Sequence, residues 1–390
     1  MKFPQDNPPR ILFLFSDTGG GHRSAAEAIV EALYLQYGER IHTTMVDIIR
    51  DYAPRPLNRL PDLYPHMVRL PRAWGLGYHL SDGHNRARLL TASAWLYVRK
   101  NTRALLAQNR SELIVSVHPL ANAPALKALR YQGEGRPPFV TVVTDLVTTH
   151  ALWYHRRTDL CLVPSEQARR RALACGLKPN QVQVTGLPVA ERFCQPMGDQ
   201  RQIRSDLGWP LDTPVILLVG GGEGMGPLEK TAQEIAANLA KAGLLATLAI
   251  VAGRNKQLKE KLSARRWPIP TLVYGFVKEM PNFMRAADIL VTKAGPGTIS
   301  EAFIAGLPMV LYNRLPGQEE GNVRYVTAYG AGIWSPRPED SAAAVYDWIA
   351  HPEKRLRAAA ASSRLARPEA ARQIACLLAC NLGIANLGTE

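Results

Sequence analysis

The chain has 390 residues, of which 46% are hydrophobic, and its formal net charge is +14 at pH 7. One hydrophobic core rarely grows to this length, so two domains are expected. The apolar stretches are far shorter than the roughly 20 residues of a membrane-spanning helix, the N-terminus lacks the long apolar region of a secretory signal, and no zinc-finger, RNP or basic-zipper pattern indicates nucleic acid. We predict a cytoplasmic protein with an anionic partner other than nucleic acid.

Short apolar runs alternate with helical patterns through the first half of the chain. A strand is predicted at residues 11–15, and after a glycine loop Ala26, Ile29, Leu33 and Tyr37 recur at helical spacing. Further strands are predicted at residues 41–48, 113–117, 140–143, 160–163 and 182–184. This alternation is typical of a parallel sheet covered by helices on both faces.

Residues 50–103 interrupt the alternation with ten Lys or Arg against three acidic residues. The same segment holds six aromatic residues, Tyr52, Tyr64, Trp74, Tyr78, Trp95 and Tyr97. Cations and amphipathic aromatics suit the headgroup layer of an anionic membrane, where each cation contributes roughly 1 kcal/mol. The alternative is a solvated, irregular insertion whose aromatic residues pack on the domain beneath it.

The second half resumes the alternation after a segment rich in proline and glycine. Residues 186–213 are predicted to be an interdomain linker, followed by a strand at 215–219, a helix at 228–241 and strands at 246–251, 271–274 and 287–291. The predicted fold class is α/β, with two doubly wound, Rossmann-like domains, residues 1–190 and 210–365, that face a shared cleft. Residues 366–390 are predicted to form a helix that packs back on the first domain.

Two loops of the second domain are predicted to bind phosphate. Gly295, Pro296 and Gly297 follow a buried strand and precede a helix, and the run Pro316-Gly317-Gln318-Glu319-Glu320-Gly321-Asn322 precedes another. Helix N-termini favour anions because of their unpaired N–H groups and the helix dipole. Thr298 is predicted to be the N-cap of the first helix. Glu301 then either completes a capping box or accepts hydrogen bonds from the two hydroxyls of a ribose.

The first domain carries a glycine loop that ends in a histidine. His22 follows three glycines and precedes a helix, so we expect it to project into the cleft, where an imidazole can act as general base or only orient a substrate. Asp17 and Asp145 are the competing carboxylates. A further loop, Gly220-Gly221-Gly222-Glu223-Gly224, lacks the glycine spacing of a dinucleotide fingerprint and suits either a phosphate or a tight turn.

The run Ser16-Asp17-Thr18-Gly19-Gly20-Gly21-His22-Arg23 resembles the N-terminal signature of the monogalactosyldiacylglycerol synthases, which are family 28 glycosyltransferases with the two-domain GT-B fold. Four further segments resemble that group in order and position. They are Ser116-Val117-His118-Pro119-Leu120, Val143-Thr144-Asp145-Leu146 with His150, Lys293-Ala294-Gly295-Pro296-Gly297-Thr298, and the run at 316–322. The resemblance therefore covers nearly the whole chain.

The resemblance implies that a hexose passes from a UDP-sugar to 1,2-diacylglycerol with inversion, giving a β-monoglycosyldiacylglycerol. Galactose is the predicted sugar, because the glycine-histidine run is closer to the plant galactolipid enzymes than to the bacterial processive glucosyltransferases; glucose is the alternative. His22, or else Asp145, is implied as the general base. The residues implied on the acceptor side are Asp17, Gly20, Gly21, His118 and His150.

The resemblance to this group and to the related murein GlcNAc transferase also implies a donor site in the second domain. It places Gly221 and Gly222 near the diphosphate, Phe276 and Val277 near uracil, and Glu301 at the ribose. Gln318 and Glu319 are implied to contact hydroxyls of the donor sugar. The remaining residues of the predicted donor site are Gly295, Pro296, Gly297, Thr298 and Asn322.

No cofactor and no metal ion are expected, because the chain lacks an Asp-x-Asp pair, the arrangement that holds a divalent cation on the nucleotide-sugar in the other common glycosyltransferase architecture. The expected partners are a UDP-hexose, diacylglycerol and an anionic membrane surface to which the protein binds peripherally. Two other functions are left open. One is a UDP-sugar-binding sensor that has lost catalysis, and the other is a UDP-GlcNAc 2-epimerase that acts on the donor alone.

Overall fold

The computed structural model describes residues 8–67, 70–196, 198–222 and 226–385. The chain divides into two compact units, the first formed by Met1–Glu191, Pro316–Gln318 and Pro368–Glu390, the second by Arg192–Leu315 and Glu319–Arg367. Some residues of the predicted segments lie outside the described ranges, namely residues 1–7, Val68, Arg69, Met197, residues 223–225 and residues 386–390.

The first unit is built on a six-stranded parallel sheet with the order β2-β1-β3-β4-β5-β6. Its strands are β1 Arg10–Phe15, β2 His42–Asp47, β3 Leu113–Ser116, β4 Phe139–Val142, β5 Leu160–Val163 and β6 Val182–Val184. Its helices are α1 Gly21–Tyr37, α2 Leu60–Met67, α3 Pro71–Ser81, α4 His84–Gln108, α5 Pro119–Leu129, α6 Glu166–Ala174 and, from the C-terminal part of the chain, α16 Ala370–Asn381. Short 3-10 helices lie at Gly38–Arg40, Leu57–Arg59, Arg130–Gly135, Ala151–Trp153 and Pro179–Gln181.

Both faces of this sheet are buried, which explains the continuous apolar runs of its strands. Alternate residues of β1 enter two different core clusters, with Phe13 in one and Leu14 in the other. The cluster around Phe13 includes Ile29 of α1 and Ile374 of α16. The cluster around Leu14 includes residues of α4 and α5, among them Leu126. Helices thus cover both faces of the sheet, and ligands of such sheets commonly bind outside the carboxyl ends of the strands.

The basic segment is helical, forming α2, α3 and α4, so the alternative of an irregular insertion is wrong in that respect. Trp95 of α4 packs against the core of the first unit, as does Tyr52. Tyr97 is 51% exposed. Among the described residues, no helix combines the length and the apolar character needed to cross a membrane.

The second unit holds another six-stranded parallel sheet, with the order β12-β11-β10-β7-β8-β9. Its strands are β7 Val215–Val219, β8 Thr247–Val251, β9 Thr271–Tyr274, β10 Ile289–Lys293, β11 Met309–Asn313 and β12 Gly332–Trp334. Its helices are α8 Gln200–Leu207, α9 Leu228–Lys241, α10 Lys256–Ser263, α11 Met280–Ala286, α12 Pro296–Ile304, α13 Glu320–Ala328, α14 Pro338–Ala350 and α15 Pro352–Arg364, and the short α7 Glu191–Cys194 contains the boundary between the units.

The second half of the chain contains more regular structure than its sequence predicts. Strands β11 and β12 were not among the predicted elements, and helix α8 lies inside the predicted linker. Asp199 caps α8 by accepting a backbone N–H, and Gly208 ends it with φ +66°. The buried guanidinium of Arg204 donates to Asp288 at 2.5 Å. Proline and glycine residues flank α8 on both sides, so the segment that contains this short helix has a composition typical of a linker.

Candidate active site

His22 lies in the first turn of α1, which begins one residue earlier at Gly21. Gly19 and Gly20 precede the helix with φ angles of +87° and +77°, a left-handed conformation that glycine adopts without steric cost. A Cβ on Gly19 would come within 2.9 Å of the Tyr64 ring. The glycine loop thus turns the chain from β1 into α1 and leaves room for Tyr64 beside it.

The His22 ring is half-buried and held by hydrogen bonds. Its Nδ1 lies 2.8 Å from Oγ1 of Thr144, and the ring also hydrogen-bonds the backbone of Val117. Burial lowers the pKa of His22 to about 4, although the hydrogen bond to Val117 acts in the opposite direction. The imidazole is therefore neutral at pH 7, which is the protonation state that a general base requires.

Asp145 follows β4 and is 6% exposed. Its Oδ2 accepts a hydrogen bond from Trp153 Nε1 at 2.7 Å, and its Oδ1 accepts one from Gln318 Nε2 at 3.0 Å. The Trp153 ring also packs near that of His22, with 5.9 Å between the centroids. Trp153 therefore contacts both candidate bases.

A cavity of about 480 Å³ in the first unit brings many of the predicted residues together. Those that line it are His22, His118, Asp145, His150 and Gln318. Its wall is otherwise mostly apolar and comes largely from α2 and α3, through Leu60, Tyr64, Met67, Ala73, Trp74 and Tyr78. An apolar cavity that also holds a histidine and a carboxylate suits a ligand with a hydrocarbon part and a hydroxyl group.

His118 and His150 are N-caps of the helical turns that follow them. In each ring Nδ1 accepts a backbone N–H, and Nε2 lies 3.1 Å from a hydroxyl, Oγ1 of Thr18 for His118 and Oγ of Ser81 for His150. Burial lowers the pKa of both histidines. These two residues therefore fix the turns that follow them and form part of the cavity wall.

Asp17 and the loop glycines hold the start of α1. Both carboxylate oxygens of Asp17 accept hydrogen bonds from Arg23, each at 2.6 Å. Gly20 is the N-cap of α1 and Gly21 is its first residue. Among the described residues that line the cavity, none of these three predicted acceptor-side residues is found. Their geometry gives them a part in fixing the loop that carries His22.

In the second unit, α12 begins at Pro296, and Gly295 is its N-cap. The prediction that Thr298 is the N-cap is therefore wrong, and Glu301 lies too far inside the helix to complete a capping box. The cause is Pro296, since the fixed φ of proline favours the first position of a helix. Within the described ranges no side chain caps α12, so its first N–H groups are available to an anion.

The glycine turn after β7 lies against the turn that follows β8. Gly221 has a φ of +71°, and the backbone N–H of Arg254 donates to the carbonyl of Gly222 at 2.8 Å. The Arg254 guanidinium lies over the ring of Phe276, 4.8 Å from its centroid. Phe276 is 57% exposed and Val277 is half-buried. The residues predicted to lie near uracil thus form an accessible edge beside the glycine turn.

Glu301 is half-buried on α12. Burial raises the pKa of its carboxyl to about 7, and the positive charge of Arg192 partly opposes this effect. The group is therefore close to half ionised at pH 7. A ligand whose hydroxyls donate to the carboxylate would favour the ionised form.

Glu319 and Asn322 hold their loop by contacts within the second unit. Glu319 is 2% exposed, and its two carboxylate oxygens accept hydrogen bonds from Lys293 Nζ and from the backbone N–H of Leu315, both at 2.7 Å. Asn322 Nδ2 donates to the carbonyl of Ala294 at 2.9 Å. The prediction that Glu319 contacts a sugar hydroxyl disagrees with this arrangement, because both of its oxygens are buried against the protein.

Three residues of these two sites were missed by sequence reasoning. Trp153 lies in none of the recognised motifs, so the sequence carries no signal that it binds Asp145. Lys293 is the first residue of the motif that contains the predicted phosphate loop, and its positive charge beside that loop could have indicated a role in binding phosphate. Arg254 follows a glycine after β8, at the carboxyl end of a parallel strand, where ligands commonly bind.

Comparison with known proteins agrees with the predicted resemblance. Residues 22–189 match the model for monogalactosyldiacylglycerol (MGDG) synthase, and residues 215–374 match the glycosyltransferase family 28 C-terminal domain. The probable monogalactosyldiacylglycerol synthase 2, chloroplastic, of Oryza sativa subsp. japonica is 39% identical over 366 residues, which cover 92% of this chain and 78% of that protein. The monogalactosyldiacylglycerol synthase 1, chloroplastic, of Arabidopsis thaliana is 38% identical over 374 residues, which cover 95% and 70%.

Solved structures of other proteins share the fold. MurG of Acinetobacter baumannii superposes with a TM-score of 0.63 at 15% identity and covers 95% of this chain and 99% of its own. A putative UDP-N-acetylglucosamine 2-epimerase of Listeria monocytogenes gives 0.61 at 16% identity and covers 96% and 97%. These likenesses confirm the predicted fold class, two Rossmann-like α/β domains of the GT-B type. At such low identity they indicate the fold alone.

Proposed function

The chain belongs to the monogalactosyldiacylglycerol synthase family of glycosyltransferases, and we propose that it transfers galactose from UDP-galactose to 1,2-diacylglycerol. The observation that carries this proposal is the cavity of the first unit, whose apolar wall accompanies His22 and Asp145. Diacylglycerol has the matching chemistry, since it carries two acyl chains and one free hydroxyl. Galactose is favoured over glucose because the relatives are named for galactose.

The proposed reaction is a single displacement with inversion. The hydroxyl oxygen of diacylglycerol forms a bond to C1 of galactose while the bond from C1 to the diphosphate oxygen breaks. The hydroxyl proton passes to the neutral imidazole of His22, and UDP leaves with the bonding electron pair. Asp145 stabilises the imidazolium that forms, since both residues line one cavity and contact Trp153. The α donor thus gives a β product.

We propose that no metal ion takes part in this reaction. The diphosphate is bound instead by the N-terminus of α12 and by the glycine turn at Gly221 and Gly222. Helix N-termini and glycine N–H groups provide preorganised donors where negative charge develops.

A direct assay tests the proposal. Purified protein is incubated with diacylglycerol vesicles and either UDP-[¹⁴C]galactose or UDP-[¹⁴C]glucose, and the lipids are then separated. Label in β-monogalactosyldiacylglycerol supports the proposal. Label that enters the lipid only from UDP-glucose would show that the transferred sugar is glucose and not galactose. Conversion of UDP-GlcNAc in the absence of acceptor would favour the epimerase. Tight UDP binding without any lipid product would favour the sensor.

The raised pKa of Glu301 gives a prediction for donor binding. We expect kcat/KM for UDP-galactose to fall as the pH decreases through about 7, because protonation removes the negative acceptor for the ribose hydroxyls. Glu301→Gln should lower kcat/KM by roughly ten- to hundred-fold at pH 8 and remove this pH dependence. Initial rates at subsaturating donor measure both effects.

The matched control for Glu301 is Glu339→Gln, which changes an exposed glutamate on α14 of the same unit. This variant should keep the pH profile of the wild type. If the decrease near pH 7 persisted in Glu301→Gln, another group would be its cause, and the ribose contact would lose its support.

We also propose that α3 and α4 bind the protein peripherally to an anionic membrane, on the cytoplasmic side. Leu76, Leu80, Leu89 and Leu96 are each between 62% and 73% exposed on these helices. The exposed cations of the same helices are Arg72, Arg86, Arg88, Arg99, Lys100 and Arg103. Exposed leucines beside cations combine insertion into the acyl boundary with attraction to anionic headgroups. In this proposal the leucines act together with the aromatic residues first predicted for the contact, of which Tyr97 is 51% exposed.

Charge removal on α4 tests the membrane proposal. Replacing Arg99 and Lys100 with Gln should weaken binding to phosphatidylglycerol vesicles about thirtyfold, since each cation contributes roughly 1 kcal/mol. Vesicle flotation at low salt measures the binding. The control replaces Lys230 and Lys241 of α9, both exposed, and should behave like the wild type. Equal binding of the wild type to neutral and anionic vesicles would contradict the proposal.

A further inference from the structure

Two cations of the second unit lie beside the glycine turn that follows β7. A Cβ on Gly221 would be 3.4 Å from Cε of Lys293, and a Cβ on Gly222 would be 3.3 Å from Nη1 of Arg254. These distances place Lys293 against one glycine and Arg254 against the next. The turn is therefore flanked by an ammonium-bearing chain and a guanidinium.

The ammonium of Lys293 also lies at the start of α12. A Cβ on Gly295, the N-cap of that helix, would be 3.0 Å from Lys293 Nζ. One cation is thus adjacent to both loops that are proposed to hold the diphosphate. The absence of a side chain at Gly295 and Gly221 is what gives Lys293 its space.

Glu319 holds Lys293 in this place. The Glu319 side chain is 3% exposed, the Lys293 side chain is 19% exposed, and Nζ lies 2.7 Å from Oε1. The second carboxylate oxygen is fixed by the backbone N–H of Leu315, so the carboxylate is anchored at both oxygens. An ammonium has three N–H donors, and contacts within the described ranges account for one of them.

Stability alone is a poor reason for such a pair. A buried Lys–Glu pair often stabilises a fold no better than apolar residues of similar volume, because the desolvation of both charges offsets their attraction. An anion-binding site accounts for the pair better, since the two remaining ammonium donors can bind a negatively charged ligand.

We infer that Lys293 and Arg254 bind the diphosphate of the nucleotide and neutralise the charge that it gains on leaving, with Glu319 as the positioning residue of Lys293. This inference rests on the proposed function, because it requires a uridine diphosphate in the second unit. It replaces the role predicted for Glu319 at the sugar. It also supplies the positive charge that a divalent cation supplies in metal-dependent transferases.

The position of Arg254 links the two parts of the nucleotide. Its guanidinium lies 4.8 Å from the centroid of the exposed Phe276 ring, beside the edge predicted for uracil. Its backbone N–H is bonded to Gly222. Arg254 therefore lies between the proposed base edge and the proposed diphosphate turn, where a planar guanidinium can hydrogen-bond phosphate oxygens.

Calorimetric titration of the full-length protein with uridine and with UDP, both in EDTA, tests the inference. Lys293→Met should weaken UDP binding about ten- to hundred-fold, as expected for a hydrogen bond to a charged group, and leave uridine binding unchanged. Arg254→Met should also weaken UDP more than uridine. Lys241→Met, which changes an exposed lysine on α9, is the control and should bind both ligands like the wild type.

A second set of variants separates ligand binding from folding. Lys293→Met leaves the Glu319 carboxylate buried without its cation, so the double variant Lys293→Met with Glu319→Gln is titrated as well. Lys293→Arg should recover part of the UDP affinity. Glu319→Gln alone should weaken UDP binding less than Lys293→Met, because the cation remains but is held less firmly.

The possible results distinguish the inference from the function on which it rests. If the wild type bound neither uridine nor UDP, the proposed function would fail. If the wild type bound both and the double variant bound UDP as tightly as the wild type did, the function would stand and the inference would be overturned. Loss of uridine and UDP binding in equal proportion would also overturn it, since that result indicates damage to the whole site.

Discussion

Replacing His22 with Ala is expected to lower kcat by roughly a hundred- to ten-thousand-fold, the effect of removing a general base. The acceptor hydroxyl then loses its proton only to water or to a less suitable group. UDP binding should stay within about twofold of the wild-type value, because His22 lies in the first unit and the proposed nucleotide contacts lie in the second. Initial rates with saturating UDP-galactose and diacylglycerol vesicles measure the loss.

The low pKa of His22 adds a pH test to the same experiment. A histidine with its ordinary pKa near 6.5 would become protonated and inactive as a base between pH 7 and pH 6. Burial lowers the pKa of His22 to about 4, so the residue stays neutral down to about pH 5. We therefore expect that protonation of His22 causes no decrease of kcat at saturating substrates between pH 8 and pH 5.5.

His155 provides the matched control for His22. It belongs to the same unit, burial lowers its pKa to about 4 as well, and among the described residues it is not one that lines the cavity. His155→Ala should retain most of the activity. If His22→Ala kept near-normal rates while His155→Ala behaved as expected, the role of general base would move to Asp145.

Replacing Asp145 with Asn is expected to lower kcat by roughly a hundred- to a thousand-fold, the range found when a preorganised electrostatic contact is removed. Asparagine removes the negative charge that stabilises the imidazolium of His22. Its amide NH₂ also replaces one of the two oxygens that accept hydrogen bonds from Nε1 of Trp153 and Nε2 of Gln318. One of these two hydrogen bonds is therefore lost. Rates at saturating substrates measure the effect.

Trp153→Phe is the matched control for Asp145. It keeps the charge of Asp145 and removes the indole N–H that orients it, together with part of the ring volume, so the loss of kcat should be much smaller than in Asp145→Asn. Thermal melting of each variant checks that the first unit is folded, because Trp153 is fully buried. An Asp145→Asn enzyme with wild-type kcat would contradict the electrostatic role. An inactive Asp145→Asn enzyme beside an active His22→Ala enzyme would identify Asp145 as the base.

The sequence alone determined the fold class and the family of this protein. Parallel strands that are buried on both faces are continuously apolar, so the apolar runs at 11–15 and 215–219 were sufficient to predict strands at these positions. Glycine-rich turns at strand ends were equally visible, because the left-handed conformation of Gly19 and Gly20 is accessible to few other residues. The motifs around His22 and Gly295 then indicated the family that the comparisons show.

Contacts between residues far apart in the chain were decided only by the tertiary structure. Glu319 and Lys293 are 26 positions apart, and no sequence pattern shows that the carboxylate binds this lysine and not a ligand. The pairing of Gln318 with Asp145 spans 173 positions, and the pKa values of His22 and Glu301 depend on burial by distant segments. Local patterns specify strands, turns and caps, whereas the charge state and the partners of a buried side chain depend on what the folded chain packs around it.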